Sequence, residues 1–180
     1  HHTHLHHWNQ SIVFYKEKCG DIETIRNIVA KLVQHHSGLM TLFKKHSLTY
    51  VGNIDSQNVT WSVTYKELDN LEESVRQREI DRLEEQAQTT LNILDGPIMK
   101  LVIIKEKTNL YRFFWVIHHL LIDTVSWHIL LEDFHTLFDH MTENHTIALP
   151  TQTSSYKDWS IFLNNYSKKI EKDIIYYWKN

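Results

Sequence analysis

IMKLVIIKEKTNLYRFFWVIHHLLIDTVSWHILLEDF, residues 98–134, is the stretch on which the fold turns. Residues 98–107 and 110–119 are rich in β-branched and aromatic side chains and are separated only by Thr108-Asn109. They predict a β-hairpin whose second strand ends at His118 and His119. Beyond Asp123 the apolar positions Val125, Ile129, Leu130, Phe134, Leu137, Phe138 and Met141 recur mostly at three and four. That spacing predicts a helix, with Asp123 placed to cap it. A strand handing over to a helix through a short connection is a common place for functional side chains on a rigid scaffold.

Successive strand side chains point to opposite faces, so His118 and His119 do not serve one pocket while the strand continues. One of them faces the reaction and the other the interior. Histidine titrates near neutral pH, which suits the outward ring to general acid or base work. Spacing alone leaves three readings open: two structural, hydrogen-bonded histidines, one acid–base histidine, or a metal set of His118, His119 and Asp123. The metal reading is weakened because the two rings would have to reach one ion from opposite faces. Ser126 raises a Ser-His-Asp hydrolase, but no G-x-S-x-G context surrounds it.

Outward from this stretch, NQSIVFY (9–15) is predicted as a strand. Ile22, Ile25, Ile28, Val29, Leu32 and Val33 fall at helical spacing, with Asp21 as N-cap and Thr24 three residues on. Residues 37–50 are less periodic and contain a short strand near Thr41–Lys44, and NVTWSVTY (58–65) alternates as an edge or half-buried strand. In 69–94, Leu71, Val75, Ile80, Leu83, Ala87, Leu91 and Leu94 approximate one apolar face of a charged, solvated helix, which Asp95-Gly96-Pro97 stops. TENHT (142–146) ends the helix after Asp123. After Pro150, TQTSS is a polar loop. Tyr156, Trp159, Phe162, Leu163, Tyr166, Ile170, Ile174 and Tyr177 then predict one closing helix. The mixture points to an α/β sandwich.

A chain of 180 residues with 42% hydrophobic residues suffices for one packed domain. The formal charge of -3, with Lys and Arg scattered, leaves no basic stripe for nucleic acid. The lone Cys19 forms no internal disulfide and fits a reducing, cytoplasmic compartment. No apolar run is long enough to span a bilayer. The opening HHTHLHHW resembles a purification tag or metal tract, but Thr3 and Leu5 interrupt any regular spacing.

HHLLIDT (118–124) resembles the His-His-x3-Asp-Gly motif of the condensation superfamily of nonribosomal peptide synthetases. DTVSWHILLEDF (123–134) is similar to the version in epimerization domains, where Val-Ser-Trp follows the glycine; peptide-bond-forming domains typically place Trp-Ser directly after it. HHWNQSIVF (6–14), VQHHSGLMTLF (33–43), LDGPIMKLVII (94–104) and SSYKDWSIFL (154–163) are similar to further family segments in the same order. His6 and His7 thereby belong to the family's opening strand region.

The resemblance implies a chloramphenicol-acetyltransferase-like two-layer sandwich, with 1–180 as the N-terminal lobe of a two-lobed domain ending near YYWKN (176–180). It also implies epimerization of an aminoacyl or peptidyl thioester held on the phosphopantetheine arm of a peptidyl carrier protein, with no cofactor bound directly and no metal. His119 would transfer the proton, and His118 and Asp123 would hold the loop, Asp123 through an arginine such as Arg112. Ser126 and Trp127 would contact substrate. The second acid/base residue, a glutamate, belongs to the other lobe, and neighbouring synthetase modules are the further partners. Rival readings within the superfamily are a condensation-type acyltransferase and an inactive carrier-docking lobe. Thr124 stands where the family usually has glycine, so a conformation or close approach there is expected to differ.

Overall fold

The computed structural model describes residues 5–47, 49–55, 57–58, 60–142, 149–151, 154–168, 170 and 172–179. In chain order the elements of residues 1–149 are β1 (Asn9–Lys16), α1 (Ile22–His35), β2 (Thr41–His46), β3 (Thr49–Ile54), β4 (Trp61–Glu67), α2 (Glu73–Thr89), β5 (Met99–Lys107), β6 (Leu110–His118) and α3 (Thr124–Thr142). Residues 150–180 form a separate compact unit. His1–His4, residues 143–146 of the expected helix stop, residues 147 and 148 after it, and Gln152 and Thr153 of the polar loop lie outside the described residues.

The hairpin expected from 98–119 forms the middle of a four-stranded sheet of order β1-β6-β5-β4. β6 runs antiparallel to both β1 and β5, with Asn9 opposite His118 and Met99 opposite Ile117. β4 pairs with β5 in parallel, so α2 is the crossover of a β-α-β unit. β2 and β3 form a separate antiparallel ribbon. The strand expected near Thr41–Lys44 is present, whereas β3 was not foreseen, because Gly52-Asn53 in its middle disfavours strand.

Alternation along β6 divides the hydrophobic interior in two. Phe113, Trp115 and Ile117 join Leu101 and Ile103 of β5 in the core that includes Ile25, Leu32, Leu130 and Phe134 of α1 and α3. Phe114 and Val116 join Val102, Ile104 and the α2 residues Ile80, Leu83 and Ala87 on the other face. The expected α/β sandwich is therefore built on the sheet, with helices over both faces.

Asp21 caps α1 as expected, its carboxylate accepting from the Thr24 amide at 2.9 Å. In the charged segment the apolar face is narrower than expected. α2 begins only at Glu73, so Leu71 precedes it, and both Leu71 and Val75 are exposed. Arg76 takes the buried position instead, because its aliphatic stem covers apolar surface while its guanidinium donates to the Leu71 carbonyl at 3.1 Å and pairs with Glu73.

Two histidines tie stability to pH. Burial pushes His36 below the ordinary histidine range, although the Asp133 carboxylate 2.8 Å away pulls the other way. Burial, with Lys16 nearby, also lowers His135, and its Nε2 is buried with no hydrogen-bond partner. The unfolded chain therefore takes up protons first as pH falls through about 6.5, so stability is full above that value and is lost below it. Melting temperature is expected to fall between pH 7.5 and 5.5 on the order of that titration. His135→Phe, which keeps the edge contacts to Phe14 and Phe134 and removes the orphan nitrogen, is expected to lessen the fall. An unchanged pH dependence in thermal melts of this variant would count against the assignment.

In residues 150–180 the single closing helix expected is two helices, α4 (Tyr156–Ser167) and α5 (Lys172–Lys179). Ser155 and Asp158 start α4 with reciprocal side-chain and backbone bonds. Its end is set where the Ser167 hydroxyl donates to the Asn164 carbonyl at 2.9 Å and the Lys168 amide to Tyr166 O, both competing with continued helical bonding.

Candidate active site

β6 ends at His118, whose amide donates to Ile98 O at 3.2 Å, and the next amide, of His119, donates to Trp8 O at 2.8 Å. The strand thus delivers two histidines on backbone bonds from both neighbouring segments. Alternation puts His118 on the α2 side, where it is 1% exposed and its Nδ1 accepts from the Leu120 amide at 3.3 Å. His119 lies on the α3 side and is half-buried. The division of the pair into an inward and an outward ring is as expected.

The hydrogen bonds of His119 fix its tautomer. Nδ1 stands 2.9 Å from Ile122 O, and a carbonyl only accepts, so Nδ1 carries the proton. In the neutral ring Nε2 then holds the lone pair. At 3.2 Å from it is the Nε2 of Gln10, an amide NH2 that donates. The amide cannot be turned round without loss, because Gln10 Oε1 accepts from the indole Nε1–H of Trp127 at 3.1 Å and an indole has only a donor to offer. The ring of Trp8 packs against His119 at a centroid distance of 4.8 Å. A single chain of donors therefore runs from Trp127 through Gln10 and His119 to Ile122.

Asp123 is the N-terminal cap of α3. Its Oδ1 accepts from the Ser126 amide at 2.8 Å, and its carbonyl accepts from the Trp127 amide at 2.9 Å. The Ser126 amide, then the Ser126 hydroxyl, hold the carboxyl below the usual range against a small burial effect, and His119 adds to the lowering. The expected arginine partner is a correction. Arg112 binds Glu84 at 2.7 Å, reaches Glu106 at 3.8 Å and donates to the Tyr15 hydroxyl. It lies six residues before the end of β6, roughly 20 Å along the strand. Asp123 is instead bonded to the first-turn backbone amides of Ser126 and Trp127.

Ser126 is half-buried, and Trp127 is 6% exposed within the core, with only its indole N–H engaged toward the site. Thr124 opens α3 and is exposed; among the described residues the one non-glycine at positive φ is Ser47. The side chain at the family's glycine position is therefore accommodated by ordinary helical backbone. It forms part of a shallow concavity with Gln10, Ile12, Trp127 and His128.

Trp8 and Gln10 were not singled out from sequence. A signal existed for Gln10, since it occupies the inward face of β1 ahead of Ile12 and Phe14. A polar residue in an apolar alternation is a candidate for a buried polar contact. Its partner depends on the pairing of β1 with β6, which no local pattern reveals.

Elsewhere, burial and then Asp21 push the Cys19 thiol up to about 11, which keeps it protonated and unreactive. His35, His36 and Asp133 bring ligand atoms within 4.8 Å of one another. The His36–Asp133 contact joins the end of α1 to α3 as a hydrogen-bonded pair. His6 is part of the fold, its Nδ1 accepting from the Ile93 amide at 3.2 Å. No helix among the described residues is long and apolar enough to cross a membrane.

A mixed sheet with helices over both faces, and a histidine just past the end of an inner strand with its Nε2 turned toward Gln10 of β1, defines part of a chloramphenicol-acetyltransferase-like fold. The chain belongs to the Condensation domain family, which it matches over residues 1–180. It is 33% identical over 168 residues to gramicidin S synthase 1 of Brevibacillus brevis, covering 92% of this chain and 15% of that protein. To tyrocidine synthase 2 of Brevibacillus parabrevis it is 29% identical over 184 residues, covering 99% of this chain and 5% of the relative. Among solved structures it resembles the epimerization domain of the third module of tyrocidine synthetase B, with a TM-score of 0.84 and 28% identity over 91% of this chain and 37% of that one. It shares the fold of the starter condensation domain of rhizomide synthetase, with a TM-score of 0.74 and 13% identity over 92% of this chain and 39% of that one. The chain thus spans a small part of these relatives.

Proposed function

We propose that the chain is the N-terminal lobe of an epimerization domain of a nonribosomal peptide synthetase, and that His119 moves the Cα proton of a carrier-bound aminoacyl or peptidyl thioester. The thioester carbonyl makes that proton acidic by delocalising the carbanion into an enolate, so a positioned base suffices to remove it. His119 Nε2 takes the proton from Cα, the C–H electron pair passes into the enolate, and protonation of the opposite face restores the thioester with inverted configuration. The returning proton comes from an acid of the second lobe. His118 and Asp123 hold the loop on which His119 stands. Ser126 and Trp127 border the route of the phosphopantetheine arm from the carrier protein. No cofactor is needed.

The observation that carries epimerization over amide formation is the order Val125-Ser126-Trp127 after Asp123. The greater likeness to the tyrocidine synthetase epimerization domain than to the starter condensation domain, 0.84 against 0.74 in TM-score, supports the same reading. The exposed Trp8, Leu120, Val125 and Ile129, on and around the segment that carries His119, are consistent with a facing lobe.

A two-lobed protein carrying this chain, given a carrier protein loaded with an L-aminoacyl group in deuterated water, is expected to place deuterium at Cα and yield both stereoisomers. Retention of the Cα proton, with an amide formed once a second charged carrier is added, would instead identify a condensation-type acyltransferase.

A further inference from the structure

The amide of Gln10 is oriented by a residue outside the histidine motif. Trp127 offers only a donor, so it claims Gln10 Oε1 at 3.1 Å and leaves the Gln10 NH2 facing His119 Nε2 at 3.2 Å. A ring protonated at Nε2 would meet this NH2 donor to donor. With Nδ1–H already given to Ile122 O at 2.9 Å, the neutral ring with its lone pair on Nε2 is the form that satisfies every partner. The two anchors come from β1 and α3, elements 117 residues apart in the chain. Both are fixed by the sheet and core: Gln10 pairs with Ile117 in the β1–β6 ladder and Trp127 packs on Trp115 at 6.0 Å.

We propose that Gln10, locked by Trp127, is a positioning residue that holds His119 in the Nδ1–H tautomer, with the Nε2 lone pair on the Gln10 NH2. The proposal rests on the reading of His119 as the proton-transfer group only for its effect on rate. The tautomer itself is visible without turnover.

The test uses the full chain, its histidine rings followed by long-range proton–nitrogen correlation spectra across pH. In the parent protein, His119 is expected to show a protonated Nδ1 and a bare Nε2 at neutral pH. Gln10→Glu replaces the NH2 with an acceptor-only carboxylate, so both ring nitrogens then face acceptors. The His119 titration midpoint is expected to rise by about one pH unit or more. Trp127→Phe frees the amide to turn and should move the midpoint the same way by less, with mixed tautomers. Asp123, whose charge couples to the ring, together with His118, His128, His6 and His7, is common to all three proteins. A parent ring protonated at Nε2 overturns the proposal outright, whether or not the variants fold. So does an unmoved midpoint in a Gln10→Glu protein whose spectrum retains the parent's dispersion.

In a two-lobed protein the same variant is expected to shift the alkaline-going limb of the rate profile by the amount the spectra show, acting on kcat more than on KM. Spectra that shift while the rate profile stays fixed would leave the positioning role standing and remove His119 from the chemistry.

Discussion

His119→Ala, made in a two-lobed protein carrying this chain, is expected to lower Cα proton exchange of a carrier-bound aminoacyl thioester by about 10²–10⁴-fold, the usual contribution of one positioned acid–base group. The substitution removes Nε2 and takes the ring partner from Ile122 O and the Gln10 NH2, while the backbone at 119 stays held by its own amide on Trp8 O at 2.8 Å. The ring is only half-buried, so its loss opens little interior space. Activity should therefore fall while the melting temperature changes little. His118→Ala should do the reverse. His118 is 1% exposed, and its removal deprives the Leu120 amide of an acceptor and leaves a void on the α2 face, so its effect enters through stability. Deuterium wash-in at Cα, followed with each variant beside a thermal melt, separates the two. Undiminished exchange in the His119 variant would sink the assignment of the base.

The contrast between adjacent histidines was legible in sequence because it follows from the two-residue period of a strand, which survives any uncertainty about partners. The hairpin, the strand-to-helix handover at Asp123 and the cap at Asp21 are likewise local facts, written in a few neighbouring residues. What escaped was non-local or carried by atypical residues. β3 contains Gly52-Asn53 and forms because β2 offers it a ladder, from Thr41 opposite Ile54 to His46 opposite Thr49. The α2 interior accepts Arg76 because a long stem can be buried while its charged end finds Leu71 O and Glu73. At the site, Asp123 and the histidines stood in a motif, but Gln10 and Trp8 became neighbours of His119 only through the pairing of Asn9 with His118. Arg112 was assigned to Asp123 because arginine commonly holds a carboxylate; strand length alone carries it away, toward Glu84 on α2.

Phe134→Ala is expected to destabilise the chain by about 3–5 kcal/mol, the range for deleting a large aromatic from a packed interior. Phe134 is 0% exposed and sits among Phe14 at 5.5 Å, Phe113 at 6.0 Å, Trp115 at 5.4 Å and Phe138 at 5.8 Å. These are mostly edge-on contacts, so their loss adds to the lost burial and leaves a cavity that rings from β1, β6 and α3 cannot all collapse to fill. Against a total stability of roughly 5–15 kcal/mol for a domain, such a loss leaves a chain that unfolds at far lower denaturant. Phe134→Leu keeps most of the volume and should cost markedly less, which distinguishes cavity from sequence-specific effects in urea titrations. Because α3 carries both Phe134 and Trp127, loosening its seat on the sheet should also disturb the Trp127–Gln10 bond before the His119 backbone, which is anchored by β-ladder neighbours. In folded Phe134→Ala protein the His119 ring should therefore show mixed tautomers while its amide stays protected from exchange. Equal loss of protection at both places would mean that the histidine is held by the core and not by the sheet.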